Sequence, residues 1–191
     1  MTVLRSLNCD GLHGLGLAIA AALLLLPLLG GDALREAWRY QREAVAAGQW
    51  WRLLTCHLVH LDAVHALLNT VGLALLWALF AREYRLWQWM LALGASALTI
   101  AIGFSFFSPQ LQWYVGASAL LHGVFACGCA ALIRQRDRIG FIAGALFIAK
   151  LAWEQWHGPL PFERADLVVT ISHLYGAIGG AVAGLVLRPR Q

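Results

Sequence analysis

Ser172-His173-Leu174-Tyr175-Gly176-Ala177-Ile178-Gly179-Gly180-Ala181-Val182-Ala183-Gly184 is an apolar helical pattern that carries one histidine and a glycine at every fourth position, Gly176, Gly180 and Gly184. Lipid tails are as apolar as leucine, so helices in a bilayer associate by close packing, and a small-xxx-small stripe lets one backbone approach another. A second stretch has a matching face. Ala119, Gly123, Ala126 or Cys127, and Ala130 follow Gly116-Ala117-Ser118. Packing the two stripes together brings Ser118 and His173, each at the start of its run, into hydrogen-bond range.

The surrounding composition is that of a membrane protein. Of 191 residues, 60% are apolar and 13% charged, and the mean hydropathy is +0.67. Soluble domains are about half apolar and about a quarter charged. A span takes roughly 20 apolar residues, and six apolar runs lie near 12–30, 57–80, 86–107, 116–133, 139–157 and 169–187. These predict one all-α domain over 1–191, a bundle of six transmembrane helices. The first run lacks an Ala-x-Ala exit, which predicts a retained helix and not a cleaved signal.

Net charge is +4, yet the basic residues sit in clusters between the runs, which is a topology signal and excludes a nucleic-acid partner. With a cytoplasmic amino terminus, eight of the 14 basic residues (Arg5, Arg82, Arg85, Arg134, Arg136, Arg138, Arg188, Arg190) fall inside. Five (Arg35, Arg39, Arg42, Arg52, Arg164) fall outside, and Lys150 lies within the fifth run. The expectation is N-in and C-in. Segment 32–55 supplies four of the outer arginines, and its Leu34, Trp38, Tyr40 and Trp51 alternate with charge, which suits a helix or loop in the membrane interface. Cys9, Cys56, Cys127 and Cys129 form no CxxC pair and read as free, small apolar residues.

Polar groups inside spans are expensive and therefore candidate functional groups. His65 and Asn69 are at i and i+4, on one helix face about 6 Å apart, placed to donate to a single oxygen. Ser118 opens the fourth run, and His122 follows one turn along the same face. A serine hydroxyl becomes a nucleophile when a nearby imidazole takes its proton. His65, Asn69 and the Ser118 backbone N–H are candidate donors to the resulting oxyanion. With no third acidic residue suitably placed, a Ser118–His173 dyad is the simpler expectation. Lys150 and Glu154, at i and i+4, are expected to pair in a structural or gating role. Haem or metal ligation by paired histidines is a separate reading; HExxH is absent, and no metal or cofactor is expected.

Together these residues resemble the rhomboid intramembrane serine proteases. The likeness rests on H-x-x-x-N at His65–Asn69, G-x-S at Gly116–Ser118 and H-x-x-G-x-x-x-G at His173–Gly180, in that order, with the Trp51-Arg52 pair and His60 upstream. Where the family usually reads G-x-S-G, this chain has Ala119. The resemblance implies intramembrane proteolysis in a bacterial inner membrane, with catalytic Ser118 and His173, a site for the oxyanion and substrate at His65, Asn69 and Gly116, and supporting His60, His122, Gly176, Gly180, Trp51 and Arg52. The His60-Leu61-Asp62 run and His122-Gly123 are similar to the rhombosortase branch. That likeness implies clients with a Gly-Gly segment, one transmembrane helix and a basic end, cut near the periplasmic face. A rhomboid-like protein that binds membrane clients without cutting is the alternative, and Ala119 is the feature favouring it. Membrane lipids are partners on either reading.

Overall fold

The computed structural model describes residues 3–160 and 168–190. Arg164, expected in an outer loop, lies outside the described residues. Among the described residues the long helices are α1 Gly11–Leu25, α2 Ala63–Phe80, α3 Leu86–Ile102, α4 Ser118–Arg134, α5 Arg138–His157 and α6 Thr170–Val186. Among the described residues, three stretches are long and apolar enough to cross a membrane: Gly11–Trp38, which prolongs α1, then Ala63–Phe80 and Leu86–Phe107. α4 and α6 are apolar helices of 17 residues. The longer α5 is diluted by Arg138, Lys150 and Glu154.

Local chemistry sets the boundaries. The apolar run at 57–80 becomes a helix only from Ala63, because Asp62 is extended and its carboxylate accepts the His65 backbone N–H at 2.8 Å. Such a cap contributes about 1 kcal/mol, and it leaves His57 and His60 in the preceding loop. Asp137 starts α5 in the same way, accepting from the Ile139 N–H at 2.8 Å. α3 passes into a π-helical turn over Gly103–Phe107. There a Cβ on Gly103 would lie 2.2 Å from the Tyr175 ring, so the turn makes room for that ring.

The centre of the molecule is the α4–α6 contact. A Cβ on Gly176 would lie 1.9 Å from the Ala119 carbonyl oxygen, and one on Gly180 would lie 1.9 Å from that of Gly123. Gly184 faces Ala130 and Cys127, so Cys127 and not Ala126 completes the α4 face. α3 closes the other side, where Ser96 lies against Gly123 and Thr99 against Gly179. α1 packs against α2, with Gly16 under the Trp77 ring.

The segment between α1 and α2 folds as short helices, Gly31–Trp38, Arg42–Ala46 and Arg52–Thr55, with β1 Tyr40–Gln41 paired antiparallel to β2 Trp113–Tyr114. Its arginines are used structurally. Arg52 is buried and donates to the Glu36 and Arg39 carbonyls at 2.7 and 2.9 Å. Arg42 donates to the carbonyls of Leu111 at 3.0 Å, Ser108 at 2.7 Å and Phe104. Arg35 reaches the Leu61 carbonyl at 2.9 Å. Arg39 pairs with Glu36 at 2.7 Å and lies 5.8 Å from the Trp113 ring centre. Trp51, by contrast, is exposed. At the opposite end Arg134 donates to the Gly184, Leu185 and Leu187 carbonyls that α6 leaves free. Cys56, Cys127 and Cys129 are buried free thiols, and Cys9 is half-buried.

Two glycine substitutions separate packing from helix propensity. Gly180→Ala forces a methyl against a backbone oxygen and is expected to destabilise by about 1–3 kcal/mol. Gly94→Ala, in the interior of α3 with open space around the new Cβ, is expected to be neutral or to stabilise by up to about 1 kcal/mol. Thermal melts in detergent should order the variants Gly94→Ala, wild type, Gly180→Ala from most to least stable.

Candidate active site

Ser118 is the first residue of α4, half-buried, and follows a loop that the chain turns tightly at Gly116. Gly116 has φ +117°, which a side chain disfavours, and a Cβ there would lie 2.8 Å from the His65 ring. Three groups hold this turn. The Gly116 N–H donates to the Cys56 carbonyl at 2.9 Å, Tyr114 Oη donates to the Gly116 carbonyl at 2.9 Å, and His57 Nδ1 lies 3.3 Å from the same oxygen. The turn therefore aims the amino end of α4, with its free N–H groups, at the space beside Ser118.

His173 stands in the first turn of α6, buried, with Nε2 3.1 Å from Ser118 Oγ. Its ring stacks on that of His122 with centroids 4.0 Å apart and planes 5° from parallel. His122 Nδ1 is 2.7 Å from the Ser118 carbonyl oxygen. Ser118, His173 and His122 are thus brought together directly, and Gly176 and Gly180 make their closeness possible.

His65 reaches the site through Gly116, and His60 stacks edge-on against His65 at 5.1 Å. Asn69 is buried and its amide donates to the His65 carbonyl at 3.0 Å, leaving its second N–H for another acceptor. Ala119 is fully buried within the apolar cluster of Tyr40, Cys56, Ile100, Phe104 and Tyr114, and its extra methyl is taken up there. Trp51 and Arg52 belong to the segment between α1 and α2, where Arg52 acts as a carbonyl clamp.

One expectation is corrected. An acidic residue does stand behind His173: Glu154 of α5 places its two carboxylate oxygens 3.0 and 3.1 Å from His173 Nδ1. Lys150 Nζ lies 2.6 Å from Glu154 Oε1 and 2.6 Å from His122 Nε2. The i, i+4 pair that the sequence presents as a bridge within one helix is in fact docked onto both histidines. Linear spacing gives no sign of this, because it depends on how α5 rotates against α4 and α6. His122, Glu154 and His173 also offer donor atoms within 4.8 Å of one another, a spacing a metal ion would accept. The Lys150 ammonium is bonded to two of the three.

Comparison with known proteins agrees with this architecture. Residues 47–190 match the family model of the rhomboid domain. The chain belongs to the rhomboid family. Among curated rhomboid relatives, the Bacillus subtilis rhomboid-protease candidate YdcA is 27% identical over 136 residues, which cover 71% of this chain and 66% of that protein. The rhomboid protease GluP of the same organism is 31% identical over 147 residues, covering 77% of this chain and 28% of GluP. The matched region thus spans just under two thirds of one relative and about a quarter of the other. Family and hydropathy together make this rhomboid a membrane protein.

Burial also sets the charge of the loop residues that flank the site. His57 and His60 are pushed down to about 4, His57 by burial and His60 by burial and then by neighbouring His65. Tyr114 and Cys56 are pushed up to about 12 by burial. A histidine lowered in the fold remains neutral between pH 6.5 and 4 while the unfolded chain takes up a proton. Stability is then unaffected above pH 6.5 and falls as pH drops through that window, by up to about 1.4 kcal/mol per pH unit for each group. Chemical denaturation in detergent from pH 7 to 4 should show this slope, and His60→Gln should reduce it.

Proposed function

We propose that this rhomboid is an intramembrane serine endopeptidase in which Ser118 and His173 form the catalytic pair. The observation that carries the reading is the 3.1 Å separation of Ser118 Oγ and His173 Nε2 at the start of two apolar helices. The Ser118 proton passes to His173 Nε2 as Oγ bonds to the substrate carbonyl carbon, whose π pair moves onto oxygen. That oxyanion is met by the backbone N–H groups at the amino end of α4 and by the His65 and Asn69 side chains. Collapse of the intermediate breaks the C–N bond, and His173 returns its proton to the leaving amine. Water, or an amine in an acyl transfer, then resolves the ester on Ser118.

The six long helices are proposed to be six spans with both termini in the cytoplasm and the active site facing the periplasm of the bacterial inner membrane. The proposed clients are proteins with a C-terminal tail made of a Gly-Gly segment, one transmembrane helix and a basic end, as the likeness to rhombosortases implies. Glycine suits the cut because it weakens a helix by about 1 kcal/mol and leaves its carbonyl open to attack. A crevice of about 320 Å³ beside the chain segments that lead into α4 and α6, lined by Trp113, Tyr114, Val115, Val168 and Val169, offers an approach for an extended client.

The test is co-expression with a reporter bearing such a tail. Wild type is expected to remove the tail, and Ser118→Ala and His173→Ala each to leave at least about 99% of it intact. A tail left intact by a well-folded wild type, together with no labelling by a serine-directed fluorophosphonate, would instead support a client-binding protein that does not cut.

A further inference from the structure

The hydrogen bonds around His173 can be assigned one at a time from donor and acceptor chemistry. A carboxylate only accepts, so His173 Nδ1, at 3.0 and 3.1 Å from the two Glu154 oxygens, is the protonated nitrogen. His173 Nε2 then has a free lone pair, and it faces Ser118 Oγ at 3.1 Å. An ammonium only donates, so His122 Nε2, 2.6 Å from Lys150 Nζ, is the bare nitrogen of its ring. His122 Nδ1 therefore carries the proton and donates it to the Ser118 carbonyl at 2.7 Å. Lys150 Nζ closes the chain at 2.6 Å from Glu154 Oε1. The 3.4 Å approach of Lys150 Nζ to His173 Nδ1 brings two donors together and is a neighbour distance only.

Every assignment agrees with the next, and the result is a ring that leaves Ser118 by its hydroxyl and returns to Ser118 by its carbonyl. We infer that Glu154 and Lys150 are positioning residues, Glu154 holding His173 in the one tautomer that can accept the Ser118 proton and Lys150 holding both Glu154 and His122. This rests on the reading of Ser118 and His173 as the catalytic pair and extends it from two residues to a buried five-member network.

The inference has a physical basis in burial. The Glu154 side chain is 0% exposed and that of His173 is 4% exposed. A carboxylate taken out of water needs a counter-charge and full hydrogen bonding, and here Lys150 and His173 supply both. A neutral imidazole without a partner divides between two tautomers, and in one of them Nε2 carries a proton and cannot act as base. When His173 becomes an imidazolium during the reaction, the carboxylate is already in place to stabilise it. His122, stacked on that ring, stays neutral because its Nε2 accepts from Lys150, so the developing charge meets no like charge from its nearest aromatic neighbour.

Full-length protein labelled with ¹⁵N-histidine reads the tautomer directly, with His173→Gln identifying the signal. The expected spectrum has His173 protonated on Nδ1 in wild type and in Glu154→Asp. In Glu154→Gln the amide can donate to Nδ1, and the signal should move toward the Nε2–H form. On the tail reporter, Glu154→Gln is expected to lower kcat about 100-fold or more with KM within about threefold, and Glu154→Asp to recover at least about a tenth of the wild-type rate. Lys150→Met strands a buried carboxylate and is expected to melt lower. The double variant Lys150→Met/Glu154→Gln should regain stability but neither the tautomer nor the rate.

An unchanged His173 tautomer in a folded Glu154→Gln protein would overturn the inference, whether or not any client is cut. Equal loss of rate and of folding, restored together in the double variant, would overturn it as well and reduce the pair to scaffold. Failure of the catalytic reading has a different signature: a wild type with the expected tautomer whose Ser118 neither cuts nor labels.

Discussion

No side chain stands between the backbones of α4 and α6 where Ser118 and His173 meet. A hypothetical methyl on Gly176 or Gly180 would come to 1.9 Å of a carbonyl on the facing helix, so the two helices are as close as backbones allow. That closeness brings an imidazole within 3.1 Å of a hydroxyl when each side chain has only a few bonds to span the gap. Most of the remaining architecture depends on it. α3 can close over the pair only with its own small residues, and Gly103 must yield to the Tyr175 ring on the far side of α6. Interiors that are close-packed transmit such demands, because a shift of one element leaves its neighbours without contacts.

The parts of this arrangement that are periodic along one chain segment were legible in the sequence. The glycine stripe of α6 and the small-residue stripe of α4 are written at four-residue intervals, and they meet as those intervals imply, with Cys127 and not Ala126 on the shared face. The helix bounds were less legible. Hydropathy begins the second run at His57, but the helix waits for Asp62 to cap it, since an apolar loop and an apolar helix look alike to a hydropathy window. Glu154 was half legible. Its pairing with Lys150 follows the i, i+4 spacing, but only the rotation of α5 turns the carboxylate toward His173. Contacts between elements distant in sequence leave no periodic trace when one polar residue is involved.

The segment between α1 and α2 bears on the charge pattern. Its arginines would count toward a cytoplasmic side if they served only as a topology signal. Arg35, Arg42 and Arg52 instead donate to backbone carbonyls of neighbouring turns. Irregular backbone near a bilayer needs partners for its carbonyls, and a guanidinium with five N–H groups can meet several at once. β1 and β2 then join this segment to the loop before Ser118, so the same arginines steady the turn that presents the nucleophile.

The pairing of Lys150 with Glu154 also bears on where its helix can sit. α5 carries an ammonium and a carboxylate in its interior, each costly away from water when alone. Because the two are four residues apart and bond to each other at 2.6 Å, the helix can partition as an electrically neutral unit. The second carboxylate oxygen is left for α6. His173 thus joins a charge that α5 already neutralises within its own turns.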